Sequence, residues 1–434
     1  MSVFSRSNDD DVARGARAVV ICPETGRSSP RSTDARLDEA AGLAAAIRID
    51  VVERVGVKIR DVRPATLFGS GQLDVLTSTV NMAEAELVIV DAALTPVQQR
   101  NLERAFKAKV IDRTGLILEI FGERAVSAEG RLQVELAHLD HQAGRLVRSW
   151  THLERQRGGF GFLGGPGETQ IEADRRMIRD RMAKLRRELA DVSRTRTLHR
   201  DRRKRAPWPI IALVGYTNAG KSTLFNRLTG ASVMAEDLLF ATLDPTMRHI
   251  SLPGIDKAIL SDTVGFVSDL PTQLVAAFHA TLEEVIDADL ILHVRDISHT
   301  DSDAQRGDVI AVLSEIGISG ENGAPLIEAW NKTDLLDPEA FAFHAAEAVR
   351  RDDVLPVSAL TGEGVDALLT LIAERLTKAR RIHSVVLSTG DGASIAWLRA
   401  RGTVVSERFE EDQMVIDVRL SDEDHARFQS RSLA

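Results

Sequence analysis

The sequence predicts an α/β protein centred on a doubly wound, mostly parallel sheet, to which a smaller α/β domain, a long helical hairpin and a small α+β domain are attached. Two patterns lead to this prediction. Short apolar runs alternate with helical patterns through most of the chain, which favours parallel strands covered by helices. Apolar residues recur at heptad spacing in two series between residues 132 and 192, which favours two long helices that pack against each other.

The chain has 434 residues, more than a single hydrophobic core normally serves, so we expect several domains. Changes of pattern along the chain give their boundaries. We predict a disordered tail at 1–16, an N-terminal α/β domain at 17–125, the helical hairpin at 126–206, a central α/β domain at 207–382 and a C-terminal α+β domain at 383–434.

Composition limits the class of protein. No stretch approaches the roughly 18 consecutive apolar residues of a membrane helix, so we expect no membrane span. The acidic residues Asp9, Asp10 and Asp11 do not match the layout of a signal peptide. Cys22 is the only cysteine, which excludes an intramolecular disulfide and a cysteine-based zinc site. We therefore expect a cytoplasmic protein, which we take to be a monomer.

The secondary structure of the N-terminal domain is predicted from its apolar runs. Strands are predicted near Ala18–Cys22, Leu87–Val90 and Val110–Ile111, and helices near Leu37–Ile47 and Pro96–Lys107. The glycine-containing run at 68–72 could approach a phosphate, although two glycines in a loop more often form a simple turn. We find no motif in this domain that indicates a particular reaction.

The helical hairpin is read from two series of apolar residues at heptad spacing. The first series is Leu132, Leu136, Leu139, Ala143, Leu146, Trp150 and Leu153, and the second is Ile171, Ile178, Met182, Leu185, Leu189 and Val192. Between them lies a glycine-rich loop at 157–167, which is too rich in glycine to be helical. Thr169 and Glu172 fit a capping box, so we expect the second helix to begin near Gln170.

Two features of the hairpin indicate a partner. Phe160 and Phe162 lie in the glycine-rich loop, where apolar side chains gain nothing unless a partner covers them; the alternative is that the loop folds back onto its own domain. Residues 175–205 carry fourteen basic side chains against four acidic ones, although the whole chain has a net charge of -9. Such a stripe is typical of contact with a nucleic-acid backbone, while a solvated helix face remains the alternative.

The central domain contains a phosphate-binding loop. A predicted strand at Ile210–Val214 leads directly into Gly215, Tyr216, Thr217, Asn218, Ala219, Gly220, Lys221 and Ser222, which fit G-x-x-x-x-G-K-[ST]. Backbone amides of this loop can surround phosphates, and Lys221 can neutralise the β and γ oxygens. The Ser222 hydroxyl can ligate Mg²⁺, and the following helix adds its N-terminal dipole.

Two further segments complete the predicted phosphate and metal site. A strand ending near Leu260 leads into Asp262, Thr263, Val264 and Gly265, an acid that can hold Mg²⁺ through water and a glycine amide that can meet the γ-phosphate. Phe240, Ala241, Thr242, Leu243 and Asp244 form a connecting segment with a hydroxyl. We assign Thr242 as the second protein ligand of Mg²⁺, with Thr246 as the alternative.

The base is predicted to be guanine. A strand at Leu326–Trp330 leads into Asn331, Lys332, Thr333 and Asp334, and a strand at Val354–Val357 leads into Ser358, Ala359 and Leu360. The Asp334 carboxylate can accept hydrogen bonds from N1 and N2 of guanine, a donor pair that adenine lacks, and a backbone amide at 358–360 can meet O6. The five elements in this order predict a GTPase that binds GTP or GDP with Mg²⁺.

The expected chemistry depends on three residues, Lys221, Gly265 and Asn218. Many GTPases place a glutamine directly after the glycine equivalent to Gly265 to orient the attacking water, but here that residue is Phe266. We therefore expect slow hydrolysis until a partner activates it. Asn218 could offer an oxygen to K⁺, or it could simply suit a turn.

The C-terminal segment predicts a small α+β domain. Strands are predicted at Val385–Leu387, Val404–Phe409 and Met414–Leu420, and helices at Ala393–Ala400 and from Asp422. Acidic residues at 407–412 and 422–424 make RNA an unfavourable partner and favour contact with a ribosomal protein or with the GTPase domain itself.

Several runs resemble the HflX family of ribosome-associated GTPases. They are HLERQRGG at 152–159, GGPGETQIEADRR at 164–176, FATLDPT at 240–246 and DTVGF at 262–266. The resemblance covers nearly the whole chain. It implies Mg²⁺ bound by Ser222 and Thr242. It also implies a large (50S) ribosomal subunit as partner, reached by the hairpin loop near the peptidyl transferase centre, and the splitting of stalled or idle ribosomes. Some members are reported to bind ATP in the N-terminal domain, but Gln72 replaces a lysine that looks common there.

Two other functions remain open at this level. A regulatory GTPase acting on a non-ribosomal protein effector would not need the basic stripe. An ATP-driven RNA remodelling enzyme is disfavoured by Asp334, because the carboxylate matches guanine rather than adenine.

Overall fold

The structure is a computed structural model that describes residues 15–25, 31–156, 166–204, 208–231, 239–240, 246–268, 279–318, 324–378, 381–410, 413–420, 424–425 and 428–429. Within these residues the strands form sheets of four, six and three strands. None of the helices in these stretches is both long and apolar enough to span a bilayer.

The first sheet is parallel and belongs to the N-terminal part of the chain. Its strands are β1 (Arg17–Glu24), β2 (Asp50–Lys58), β3 (Leu87–Val90) and β4 (Lys109–Asp112), in the order β2-β1-β3-β4. The helices are α1 (Thr33–Ala46), α2 (Ser70–Met82), α3 (Pro96–Phe106) and α4 (Arg113–Arg124). All four residues of β3 are buried, so its short apolar run was sufficient to predict it. The edge strand β2 is half exposed and mixes charged with apolar residues, which is why sequence reading missed it.

Helix α1 is positioned by its N-terminal cap. The Ser32 side chain accepts a hydrogen bond from the Ala35 amide at 3.1 Å, which satisfies one of the free amides of the first turn. The cap fixes Arg31 just before the helix and Glu39 in its second turn, and both are used in the site described below.

The helical hairpin consists of α5 (Ala128–Gln156) and α6 (Pro166–Lys204), which pack against each other. Helix α6 begins at Pro166, so the predicted start near Gln170 was wrong. Proline suits a first helical position because its fixed φ matches the helix and its missing N–H would be unpaired there. The loop residues 157–165, including Phe160 and Phe162, lie outside the described residues.

The predicted heptad faces of the two helices are each confirmed only in part, since Ile178, Leu189 and Val192 on α6 are half-buried. Met182 and Leu185 are buried, at 6% and 0% exposure, as the heptad pattern requires. On the described part of α5 the buried apolar side chains are Val134 and Ala137, whereas the predicted Leu132, Leu136 and Leu139 are half-buried. Helix α5 also packs against α4 and α3 of the N-terminal domain, so its most buried face turns toward that domain rather than toward α6.

The central sheet confirms the predicted doubly wound fold. Its strands are β5 (Ile210–Val214), β6 (Thr246–Leu252), β7 (Ile255–Asp262), β8 (Leu290–Asp296), β9 (Leu326–Asn331) and β10 (Val354–Pro356), in the order β10-β9-β8-β5-β7-β6. Strand β6 alone in this sheet runs antiparallel to its neighbour. The helices are α7 (Lys221–Thr229), α8 (His279–Ile286), α9 (Ser302–Glu315), α10 (Pro338–Ala348) and α11 (Val365–Lys378). The order of the parallel strands reverses at β5, and ligands of such sheets bind at the strand ends beside that reversal.

The C-terminal sheet is antiparallel. Strands β11 (Arg381–Ser388), β12 (Thr403–Glu410) and β13 (Gln413–Leu420) have the order β11-β13-β12, and α12 (Gly392–Arg401) packs on them. Ile416, Val418 and Leu398 are completely buried and form the centre of this small core. Most of the helix predicted from Asp422 lies outside the described residues.

Candidate nucleotide site

The phosphate-binding loop has no room for a side chain at either Gly215 or Gly220. A Cβ atom on Gly215 would collide with the Val294 carbonyl oxygen of β8, and one on Gly220 would collide with the Asn331 side-chain amide. Gly220 also has a φ of +91°, in the region that favours glycine. The loop therefore keeps the predicted strand-loop-helix geometry only with glycine at these two positions.

The Lys221 side chain folds back against the backbone of the phosphate-binding loop. Its side chain is 6% exposed, and Nζ donates hydrogen bonds to the carbonyl oxygens of Gly215 at 3.1 Å and Tyr216 at 2.8 Å. Burial lowers the pKa of the Lys221 ammonium to about 8, although the Asp262 carboxylate opposes this shift. An anionic phosphate beside Nζ would stabilise the protonated form and raise this pKa again.

Ser222 and Asp262 meet at the end of β7. The Ser222 hydroxyl donates to Asp262 Oδ2 at 2.8 Å, and Asp262 is fully buried. A hydroxyl beside a carboxylate is the hard oxygen donor set that Mg²⁺ prefers, so the residues present fit the ion. Thr242, with Ala241, Leu243 and Asp244, lies outside the described residues. Thr246, the alternative ligand, opens β6 and pairs with Asp262 across the β6–β7 ladder.

The segment after Asp262 is joined to the phosphate loop by backbone hydrogen bonds. The Thr217 amide donates to the Phe266 carbonyl at 2.7 Å, and the Phe266 amide donates to the Gly215 carbonyl at 3.1 Å. A Cβ on Gly265 would lie 2.9 Å from the Thr217 Cα and 3.0 Å from Lys221 Nζ. Gly265 therefore sits directly against the phosphate loop, where the sequence places a γ-phosphate contact.

The side chains around Gly265 point into the protein. Phe266 is only 3% exposed and packs in the apolar core with Val264 and Phe240. The Thr263 hydroxyl donates to the Leu213 carbonyl at 2.5 Å and so fixes this segment to β5. No polar side chain occupies position 266, and its phenyl ring cannot orient a water molecule.

The predicted base-recognition residues come together at the ends of β9 and β10. Asn331 donates to the Ala219 carbonyl and accepts from the Ala359 amide, both at 2.8 Å. The Ser358 hydroxyl donates to Asp334 Oδ1 at 2.5 Å, which orients that carboxylate. Thr333 and Asp334 lie in a short 3-10 turn, and Leu360 is exposed beside them. Asn331 thus connects the phosphate loop to the 358–360 loop.

Lys332 has a partner that sequence reading did not identify. Its Nζ lies 2.8 Å from Asp296 Oδ2, and Asp296 also accepts from the Ser298 amide and hydroxyl. The position of Asp296 at the end of β8 was the available signal, because the carboxyl ends of neighbouring parallel strands meet at one edge.

Sequence reading also missed a buried polar cluster between the phosphate loop and the N-terminal domain. The Tyr216 hydroxyl donates to Glu39 and accepts from Arg31 and from the Ser268 amide, each at 2.8 Å. Glu39 forms ion pairs with Arg31 and Arg113, and all three side chains are at most 7% exposed. No sequence signal pointed to this cluster, because its members lie far apart in the chain.

The cluster sets the ionisation of Glu39. Burial alone would raise the pKa of this carboxyl, but the Arg113 and Arg31 guanidinium groups outweigh burial, so that the pKa lies below its ordinary value of 4.5. Arg113 also donates to Asp91 at 2.6 Å and to the Ser268 carbonyl at 3.1 Å. Charged groups from the N-terminal domain therefore hold the segment that follows Gly265.

We expect Glu39→Gln to destabilise the protein by about 3 kcal/mol at pH 7, because it removes the carboxylate that two buried guanidinium groups share, although Arg113 still pairs with Asp91 and Arg31 with Asp301. Since the folded pKa lies below the unfolded one, this stabilisation is present above the unfolded pKa and is lost as the pH falls through the folded pKa. Urea unfolding of both proteins should therefore show a difference in midpoint that is largest near pH 7 and shrinks below pH 4.5.

Asp38→Asn is the matched control for this prediction. Asp38 precedes Glu39 on α1 and pairs with Arg54, but its side chain is 73% exposed, so its loss should cost about 0–1 kcal/mol. Equal losses for the two variants would show that the buried cluster adds no stability of its own.

Four family models match successive parts of the chain. They are described as GTP-binding GTPase N-terminal at residues 34–122, GTP-binding GTPase Middle Region at 124–203, 50S ribosome-binding GTPase at 210–332 and HflX C-terminal domain at 344–433. The GTPase HflX of Magnetococcus marinus is 49% identical over 385 residues, covering 89% of this chain and 88% of the relative. The chain belongs to the HflX family of GTPases. It is accordingly an enzyme that hydrolyses GTP.

A second HflX relative and one solved structure are also similar to the chain. The GTPase HflX of Escherichia coli K12 is 42% identical over 379 residues, covering 87% of this chain and 88% of the relative. A GTP-binding protein of Sulfolobus solfataricus, solved in complex with GDP, is 24% identical and covers 84% of this chain and 99% of its own, with a TM-score of 0.43. The family match confirms the resemblance found in the sequence.

Proposed function

We propose that this protein binds the large (50S) ribosomal subunit in the cytoplasm and uses GTP to split stalled or idle ribosomes. The exposed basic surface of α6, joined directly to a GTPase domain, is the observation that carries this proposal. The match of residues 210–332 to a model described as 50S ribosome-binding GTPase supports the choice of partner.

The basic surface of α6 is available for contact with RNA. Exposed arginine and lysine side chains recur along one described part of the helix: Arg176, Arg179, Lys184, Arg186, Arg187 and Arg194. Lys184 lies 3.8 Å from Glu188, an exposed pair that water screens strongly. Such a surface favours phosphate-backbone contact, and we propose that the loop at 157–165, with Phe160 and Phe162, makes the contact with rRNA at the tip.

The residues of the nucleotide site have separate roles in the proposed reaction. Lys221 neutralises the β and γ phosphates, and the Gly265 amide donates to the γ-phosphate. Ser222 and Thr242 are the proposed protein ligands of Mg²⁺, which supplies positive charge at the phosphates when it is bound. Because the Phe266 side chain is buried and cannot hydrogen-bond to a water molecule, we propose that hydrolysis is slow until the ribosome orients the site.

We expect purified 50S subunits to raise the steady-state rate of GTP hydrolysis by at least about tenfold, since a partner that completes a GTPase site contributes large factors. The measurement compares the free protein, the protein with 50S subunits, and the Phe160→Ala/Phe162→Ala variant with 50S subunits. The variant should keep the basal rate and lose most of the stimulation. If 50S subunits gave no stimulation, the leading function would become a regulatory GTPase with a non-ribosomal protein effector.

Asn218 is the proposed source of K⁺ dependence within the same assay. Its φ of 60° is left-handed, a conformation that asparagine tolerates, and the residue is exposed at the phosphate loop. We propose that its side-chain oxygen helps to hold K⁺ beside the phosphates. The 50S-stimulated rate should be higher in potassium than in sodium buffer, and Asn218→Ala should remove this difference; an unchanged potassium response in the variant would exclude the role.

A further inference from the structure

Arg227 connects the helix after the phosphate loop to the loop proposed to read the base. It lies on α7, less than two helical turns after Lys221. Its Nε donates to the Ala359 carbonyl oxygen at 2.6 Å, and its Nη2 donates to the Leu360 carbonyl oxygen. One guanidinium therefore holds two successive carbonyl groups of the 358–360 loop.

The backbone that follows the 358–360 loop passes close to the Arg227 guanidinium. Gly362 has a φ of +95°, and a Cβ at this position would lie 2.6 Å from Arg227 Nη1. Gly362 thus allows the chain to turn directly past the arginine. Other groups also contact this loop: Asn331 accepts from the Ala359 amide at 2.8 Å, the Ser358 hydroxyl accepts from the Thr361 amide at 3.0 Å, and the Ser358 carbonyl accepts from the Gly362 amide at 2.8 Å.

The two carbonyl contacts determine where the neighbouring amide points. The described peptide bonds are all trans, so the C=O and N–H of one peptide unit point in opposite directions. When Arg227 draws the Ala359 carbonyl toward α7, the N–H of Leu360 in the same peptide unit must point away from α7. Leu360 itself is 69% exposed, so packing of its side chain contributes little to holding this peptide unit.

We propose that Arg227 is a positioning residue for guanine recognition, which directs the Leu360 amide toward O6 of the base. The inference rests on the proposed guanine site formed by Asp334 and the 358–360 loop. Arg227 does not touch the nucleotide in this scheme. It acts through two charge-assisted hydrogen bonds that hold a peptide unit in one orientation before the base arrives.

The test measures binding of three nucleotides to the full chain by isothermal titration calorimetry. GDP and IDP carry O6, whereas 6-thio-GDP keeps N1–H and the 2-amino group but carries sulfur, a weak acceptor, in place of O6. Arg227→Ala should weaken GDP and IDP about tenfold, equivalent to one lost hydrogen bond, and weaken 6-thio-GDP less than about twofold. Arg227→Lys, which can restore one carbonyl contact, should lie between wild type and Arg227→Ala.

Arg248→Ala is the matched control, because Arg248 is exposed on β6 and donates only to the carbonyl of its neighbour Met247 among the described contacts. It should leave all three affinities unchanged. An equal loss for GDP and 6-thio-GDP in Arg227→Ala, or no loss at all, would overturn the proposed role. If wild type bound GDP no better than 6-thio-GDP, the contact between the Leu360 amide and O6 would also be overturned. ADP is the control for the guanine site itself, which would fail if wild type bound ADP as tightly as GDP.

Discussion

Asp334→Asn should shift the nucleotide preference of this protein from GTP toward XTP, with GTP affinity falling by about a hundredfold or more. The Asp334 carboxylate is acceptor-only and matches the N1–H and 2-amino donors of guanine. An asparagine side chain replaces one of the two acceptor oxygens with an NH2 group, which repels the 2-amino group of guanine but can donate to the 2-oxo group of xanthine. Competition against a fluorescent guanine nucleotide, with GTP, XTP and ATP as competitors, measures the change directly.

The structure supplies a control for this prediction. The Ser358 hydroxyl donates to Asp334 Oδ1 at 2.5 Å, so Ser358→Ala removes the group that orients the carboxylate but leaves both acceptors. This variant should lose GTP affinity by only about tenfold and gain no affinity for XTP. If Asp334→Asn kept its preference for GTP over XTP, base recognition by this carboxylate would be excluded.

Reversing the charge of α6 should remove most of the affinity for the 50S subunit. In the variant Arg176→Glu/Arg179→Glu/Arg186→Glu/Arg187→Glu, four exposed cations become anions, and the affinity should fall by about a hundredfold or more at low salt. The slope of log affinity against log salt concentration should fall by about three, since each lost phosphate contact removes about 0.7–0.9 from it. Sedimentation with 50S subunits over a range of KCl concentrations measures both quantities.

An equal number of charge reversals elsewhere controls for net charge. Arg100, Arg104, Lys107 and Arg350 are also exposed but lie on α3, in the turn after it and in the turn after α10. Their reversal should change the salt slope by less than about one. Basal GTP hydrolysis should stay unchanged in both variants, because none of these residues contacts the nucleotide site. Similar losses in both variants would show that total charge, not α6, governs binding.

Much of the site could be predicted from local sequence. The loop Gly215 to Ser222 follows β5 directly, and Asp262 and Asn331 each end a buried strand. Such motifs depend on residues that are neighbours in the chain, and the parallel strands carry them to one edge of the sheet. Sequence reading was weaker where an element is only half buried, as β2 shows, because mixed polar and apolar residues give no clear period.

The sequence by itself determined the doubly wound GTPase fold, the order of the nucleotide motifs and the burial of Met182 and Leu185 on α6. Only the tertiary structure decided which face of α5 is buried, since that face turns toward α3 and α4. It also decided that Tyr216 binds Glu39 and Arg31, and that Arg227 holds the Ala359 and Leu360 carbonyls. These contacts join residues far apart in the chain, and a charged residue in a local sequence pattern does not indicate which distant partner will neutralise it when both are buried.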